Sequence, residues 1–246
     1  MVNKKSWLIQ PALYIVLAFY FLWGFTTLGY GNTWGDFFYP EDRYFENIGA
    51  ISLFIAAFIM FFVFLKAYGI RKLIGIHWAK LLVYFGLAFL FFFGGGEEIS
   101  WGQRIFGIAE PSVLSQVNAQ GELNIHNLAV FEYSKFFKAD SIFNVFLLVF
   151  TAILPFGSLI SKRFRDFISF YLPIMFWGLG ILFIIDYIGA KLAAFLYLAV
   201  YNYNVISFPQ AVQEIKESNY EFLFVFVALW VFYDLNQQMV AKKPIE

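Results

Sequence analysis

The chain has no cysteine and only two histidines among 246 residues. The first absence excludes disulfides, thiol nucleophiles and cysteine-ligated zinc or iron–sulfur sites. The second limits imidazole chemistry to His77 and His126. With only one histidine on the side where the acids gather, a three-histidine zinc site is disfavoured, and the serine–aspartate–histidine pattern of membrane ceramidase-like hydrolases is not matched. Net charge is also lacking: Lys and Arg number 17, Asp and Glu 17. Bulk electrostatics therefore point to no nucleic-acid partner. Charge of either sign is scarce, at 14% against about 25% in a soluble domain. No internal repeat, low-complexity tract or linker divides the chain.

What is present is apolar. Hydrophobic residues make up 61% of the chain and Phe alone supplies 35 residues. Several apolar runs approach the roughly 20 residues needed to cross about 30 Å of hydrocarbon. The expectation is an all-α, polytopic transmembrane helical bundle forming a single integral-membrane domain over 1–246. About six spans are expected, near 11–30, 48–65, 79–96, 141–161, 167–185 and 219–235, with a long external loop between the third and fourth. Pro155 marks a kink in the fourth. The stretch 187–201 is short for a span and reads as a re-entrant or interfacial helix. The basic start at Lys4 and Lys5 resembles a signal peptide, but no small-residue cleavage pattern follows, so the first apolar run reads as a retained span.

Charge placement sets the orientation. Lys4, Lys5, Lys66, Arg71, Lys72, Lys80, Lys162, Arg163, Arg165, Lys242 and Lys243 fall in short segments on one side. The positive-inside rule puts that side, and both termini, in the cytoplasm. The expected location is a bacterial cytoplasmic (inner) membrane, multi-pass. All the acids except Asp166, Asp234 and Glu246 fall on the other side.

The span cores, drawn at these boundaries, hold no ionisable residue, which argues against a proton relay across the bilayer. Polar groups gather instead at one outer depth. Glu97, Asp186, Glu221 and Asn144 could meet there in one pocket. Two stretches carry most of the chemistry. In Glu97-Glu98-Ile99-Ser100-Trp101-Gly102-Gln103-Arg104, continuation of the third span's helix would put Glu97, Trp101 and Arg104 on one face. Adjacent carboxylates with a bidentate donor suit a divalent metal or an anion clamp. Gly94, Gly95 and Gly96 just before them allow close approach of another backbone, or unwinding. In the second stretch, 118–127, Glu122 and His126 are i, i+4 neighbours if helical. If it is extended, Glu122, Asn124 and His126 point one way.

Plainer roles compete with these. Glu97 and Arg104 could be a structural ion pair, Trp101 an interfacial anchor, His126 a hydrogen-bonded structural histidine, and Asp186 and Lys191 interfacial residues.

The pairing of Glu-Glu-Ile-Ser-Trp-Gly-Gln-Arg at 97–104 with Asn-x-Gln-Gly-Glu-x-Asn-x-His-Asn at 118–127 resembles a family of uncharacterised bacterial polytopic membrane proteins. The resemblance implies a site in this segment and no particular activity.

The expected site therefore has Glu97, Glu98, Arg104, Glu122 and His126 as acid, base or metal-binding groups. A divalent metal, if held, would sit on Glu97, Glu122 and His126. Trp101, Gln103, Asn124 and Asn127 would orient a lipid or lipid-linked substrate taken from the bilayer. A membrane-embedded enzyme of the outer face is the leading expectation. A transporter or channel component, or a non-catalytic assembly subunit docking a partner protein, are the alternatives.

Overall fold

The structure is a computed structural model that describes residues 6–28, 44–108, 139–201 and 207–242. Every element among them is helical: α1 Ser6–Thr27, α2 Tyr44–Ile74, α3 Trp78–Glu98, α4 Gln103–Phe106, α5 Ala139–Leu147, α6 Leu154–Ile160, α7 Lys162–Tyr171, α8 Trp177–Tyr201 and α9 Ser207–Lys242. This is the all-α bundle that the apolar runs predict. Among the described residues five helices are long and apolar enough to cross a membrane: Tyr44–Ile74, Trp78–Glu98, Phe143–Ile160, Trp177–Leu196 and Gln210–Lys242. The apolar α1 adds a further helix of 22 residues.

Packing explains which faces are apolar and why both are. α2 lies against α3 and α9, and α8 packs along α9. The core between them holds Met60, Val63, Tyr84, Phe91, Leu223, Phe224 and Val227. The opposite faces are no more polar. Phe58 is 73% exposed and Phe89, Phe62 and Leu82 are also exposed. Such a surface is costly in water and is at home against lipid, where apolar atoms displace none of water's hydrogen bonds. The chain is a multi-pass membrane protein.

Pro155 acts as its chemistry dictates. It has no N–H, and its ring crowds the carbonyl four residues back, that of Thr151. A π-helical segment, Leu148–Ile153, joins α5 to α6 at this point. The displaced Thr151 carbonyl turns towards α8, where a Cβ at Gly180 would lie 1.9 Å from it. Only glycine lets α8 come this close.

Two expected boundaries differ in the structure. The fifth span, expected over 167–185, is interrupted: α7 ends at Tyr171 and Leu172 is extended (φ −123°, ψ 151°). The cause is Pro173, which pushes the preceding residue out of helical geometry. A separate apolar helix, α8, then runs unbroken from Trp177 to Tyr201. The stretch 187–201 is thus the continuation of that helix and not a separate re-entrant piece. Likewise 211–218, which lie outside the span expected at 219–235, belong to the 36-residue α9. The i, i+4 hydrogen bond from Gln213 Nε2 to Glu217 Oε1 (3.0 Å) supports that turn.

One end of the bundle is basic. Lys66 donates to Asn236 there, and Lys80 Nζ donates to the Ser169 carbonyl at 2.7 Å. His77 caps α3, accepting from the Ala79 N–H at 3.2 Å, with its ring 4.7 Å from that of Phe170. The other end carries the acids. Glu98 lies about 27 Å along α3 from Lys80 at 1.5 Å per residue.

Candidate functional site

The acidic end begins where α3 stops. The helix does not continue through 97–104 as the spacing predicts. It ends at Glu98, and Ser100 (φ 47°), Trp101 (φ 52°) and Gly102 (φ 77°) follow one another in the left-handed region. For the two residues with a Cβ this conformation costs roughly 1–2 kcal/mol each. What holds it is the fold-back of Trp101. Its indole Nε1 donates to Glu97 Oε1 at 2.6 Å. Its ring stands 5.3 Å from that of Phe93 and covers Gly96, where a Cβ would meet the ring at 2.8 Å. Glu97 is buried.

The triple glycine is therefore used for close approach and not for unwinding. Gly96 takes the indole, while Gly94 and Gly95 sit under Leu53 and Phe54 of α2. Trp101 and Glu97 meet as expected, but through a left-handed turn and not along one helix face. Gln103 is half-buried at the start of α4. The side chain of Arg104 and the residues Glu122, Asn124, His126 and Asn127 lie outside the described residues. So do the expected Glu97–Arg104 pairing and the expected metal site on Glu97, Glu122 and His126. Among the described residues no group of three metal-ligating side chains comes together.

With Glu97 turned to Trp101, Glu98 points the other way, towards α9. Its carboxyl group is hydrogen-bonded to that of Glu221. Glu221 is 5% exposed and lies on α2 at Gly49, where a Cβ would fall 1.7 Å from Glu221 Oε2. Glu46, Glu214 and Glu217 stand within electrostatic reach of Glu98. A hydrogen bond between two carboxyl groups requires a proton on one of them. The pair is thus placed to share a proton, the arrangement that lets one site give and take one.

A second polar pair lies in the same end, at Asn219 two residues before Glu221. Asp186 is 1% exposed and Asn219 0% exposed. Asn219 Nδ2 donates to Asp186 Oδ1 at 2.6 Å. Nearby, Tyr20 and Ser218 hydroxyls are 3.4 Å apart. Asp186, expected at a span end, instead lies inside α8, which continues beyond it for another four turns or so. The span interior therefore does contain an ionisable residue, contrary to the boundaries drawn from sequence.

On the lipid-facing surface, α2 and α3 form an apolar crevice of about 390 Å³. Phe54, Phe58, Phe61, Phe85, Phe89 and Phe92 line it. Phe92 reaches its upper end, 6.4 Å from the Trp101 ring.

Glu97, Glu98, Trp101 and Gln103 are thus placed near one another by the end of α3. Sequence reasoning placed Glu221 at the right depth without its partner, and did not single out Asn219. Glu221 and Asn219 lie on one helix two residues apart, so they address different neighbours, Glu98 and Asp186. No family model, curated protein or solved structure matches the chain.

Proposed function

We propose that this protein is a membrane-embedded enzyme that transforms a lipid or lipid-linked amphiphile at the outer face of a bacterial cytoplasmic membrane. The observation that carries the reading is the Glu98–Glu221 carboxyl pair, hydrogen-bonded across α3 and α9, in the end of the bundle that the phenylalanine-lined crevice of α2 and α3 approaches at Phe92. An acyl or prenyl chain would lie along the phenylalanines and its polar end would reach the carboxyls beside Trp101. The protonated member donates to a leaving oxygen while the ionised member accepts from the attacking nucleophile. Glu97, fixed by the indole, and Gln103 would orient the headgroup. Arg104, Glu122, Asn124, His126 and Asn127 would complete the site from the adjoining segment, with a divalent metal on Glu97, Glu122 and His126 as part of the same proposal. Membership in the bacterial family that 97–104 and 118–127 resemble, six spans, and both termini in the cytoplasm belong to it too. The positive-inside distribution supports the orientation.

The test is turnover. The protein is placed in nanodiscs made from a total bacterial lipid extract and the lipids are profiled by mass spectrometry over time. Depletion of one lipid class with appearance of a product, abolished in Glu98→Gln and Glu221→Gln, is expected. Unchanged profiles for the wild type would remove the enzyme reading. The second reading, a transporter component, is favoured over a scaffold by the acids buried inside the bundle, Asp186 foremost.

A further inference from the structure

The ten residues Lys162–Tyr171 form α7, about 15 Å of helix where roughly 30 Å is needed to cross hydrocarbon. Extended residues bound it on both sides, Ser161 (φ −126°, ψ 114°) and Leu172 (φ −123°, ψ 151°). It therefore joins two helices of span length, Phe143–Ile160 and Trp177–Leu196, at one end of the bundle. That is the basic end, where the His77 ring meets that of Phe170 and Lys80 Nζ donates to the Ser169 carbonyl. Exposed Trp78 and Trp177 open α3 and α8 there. Such indoles favour the headgroup level of a bilayer.

The residues of α7 divide as a helix lying at that level requires. Ile168 is buried, and Phe164 packs on Gly157 of α6, where a Cβ would stand 2.8 Å from its ring. Phe167, Phe170 and Tyr171 are exposed and extend this apolar side outward. Lys162, Arg163 and Arg165 are exposed too. Among the described residues Lys162 and Arg163 have no ion pair or side-chain hydrogen bond, and Arg165 has a loose contact, Nε to Asp166 Oδ1 at 3.9 Å. These cations crowd the end of α7 whose dipole favours acids, so they repel one another with little relief. A soluble acidic protein would match the charge but leave the aromatic rings without hydrocarbon. An anionic lipid meets both needs, with its phosphate at the cations and its chains against the rings.

We propose that α7 is an in-plane anchor that binds anionic phospholipid in the leaflet at the basic end of the bundle. Lys162, Arg163 and Arg165 take the headgroup, and Phe167, Phe170 and Tyr171 lie against the upper part of the acyl chains. A lipid of net negative charge is preferred to a zwitterionic one, whose ammonium group would face the same three cations. The surface stands at the opposite end from the Glu98–Glu221 pair. It depends neither on the enzyme reading nor on which end is cytoplasmic.

Native mass spectrometry of the full-length protein in non-ionic detergent tests this, with titration by phosphatidylglycerol or by phosphatidylcholine of the same acyl chains. Tighter binding of phosphatidylglycerol is expected. Each of Lys162→Gln, Arg163→Gln and Arg165→Gln should weaken it roughly fivefold, and the triple variant should lose the preference. Lys72→Gln with Lys242→Gln removes two exposed cations outside α7 and should leave the preference intact. All the substituted side chains are exposed, so the fold is kept. A nitroxide at Phe167→Cys, in a chain with no other cysteine, reads the depth in nanodiscs, where broadening by oxygen should exceed that by an aqueous nickel chelate. No preference for phosphatidylglycerol, or one lost equally in the Lys72 and Lys242 variant, would overturn the proposal. So would a label more open to nickel than to oxygen, which would leave α7 as a face for a soluble acidic partner.

Discussion

Gly49→Ala isolates the contact on which the carboxyl pair depends. The new methyl carbon would sit 1.7 Å from Glu221 Oε2, against an optimal carbon–heavy-atom separation of roughly 3.5–4.0 Å. Glu221 must therefore retreat by about 2 Å, which is enough to break its hydrogen bond with Glu98. Overpacking costs typically about 1–3 kcal/mol, and an unsatisfied buried polar group about 1–3 kcal/mol more. Alanine's helix propensity returns roughly 0.5–1 kcal/mol. The net loss expected is on the order of 2–4 kcal/mol. Gly69→Ala, on the same helix with nothing within 4 Å of its Cβ, is the control and should be neutral or slightly stabilising. Unfolding in mixed micelles measures both. The decisive comparison is a double-mutant cycle, since in a Glu221→Ala background Gly49→Ala should behave like Gly69→Ala to within about 0.5 kcal/mol. A penalty that persists there, or no penalty at all, would refute the claim that Glu221 packs on Gly49.

Other consequences are equally direct. Trp101→Phe keeps a ring over Gly96 but removes the indole donor to the buried Glu97. A hydrogen bond to a charged group is worth about 1.5–3 kcal/mol, and Tm should fall by roughly 2–4 °C per kcal/mol. An unchanged melting curve would show that Glu97 does not need this partner. The absence of cysteine makes topology accessible to single-cysteine labelling. Glu217→Cys and Ile105→Cys should react with an impermeant maleimide added outside intact cells, and Lys162→Cys and Lys242→Cys only after permeabilisation. The reverse pattern would invert the orientation.

Much of the fold was legible because its causes are local. Apolar runs of span length, the missing N–H of Pro155 and the basic clusters near Lys66, Arg71 and Lys162 each act within a few residues. The boundaries that slipped did so for two reasons. Pro173 fixes Leu172 in an extended conformation although the surrounding residues are apolar, so α7 and α8 separate. Asp186 is tolerated within α8 because Asn219 on another helix donates to it, which no local pattern reveals. The site divides in the same way. Glu97, Glu98 and Trp101 stand out in the sequence by their spacing and density. The left-handed turn at Ser100 and Trp101 does not, because it runs against the preference of both residues and is held by an indole folded onto Gly96. The Glu98–Glu221 bond joins helices far apart in sequence, and the glycine that admits it, Gly49, lies on a third.

The central claim is that the Glu98 and Glu221 carboxyls share a proton inside a bundle whose outer faces meet lipid, and reaction with an apolar carbodiimide tests it most directly. Such reagents enter from the bilayer and add to protonated carboxyl groups. Peptide mapping by mass spectrometry should find one adduct per chain, on Glu98 or Glu221, with Asp166 and Glu217 unmodified. In Glu221→Gln the yield at Glu98 should fall sharply, since the proton is no longer held between two carboxyls. No adduct at either glutamate, or labelling of Glu98 indifferent to Glu221→Gln, would contradict the account.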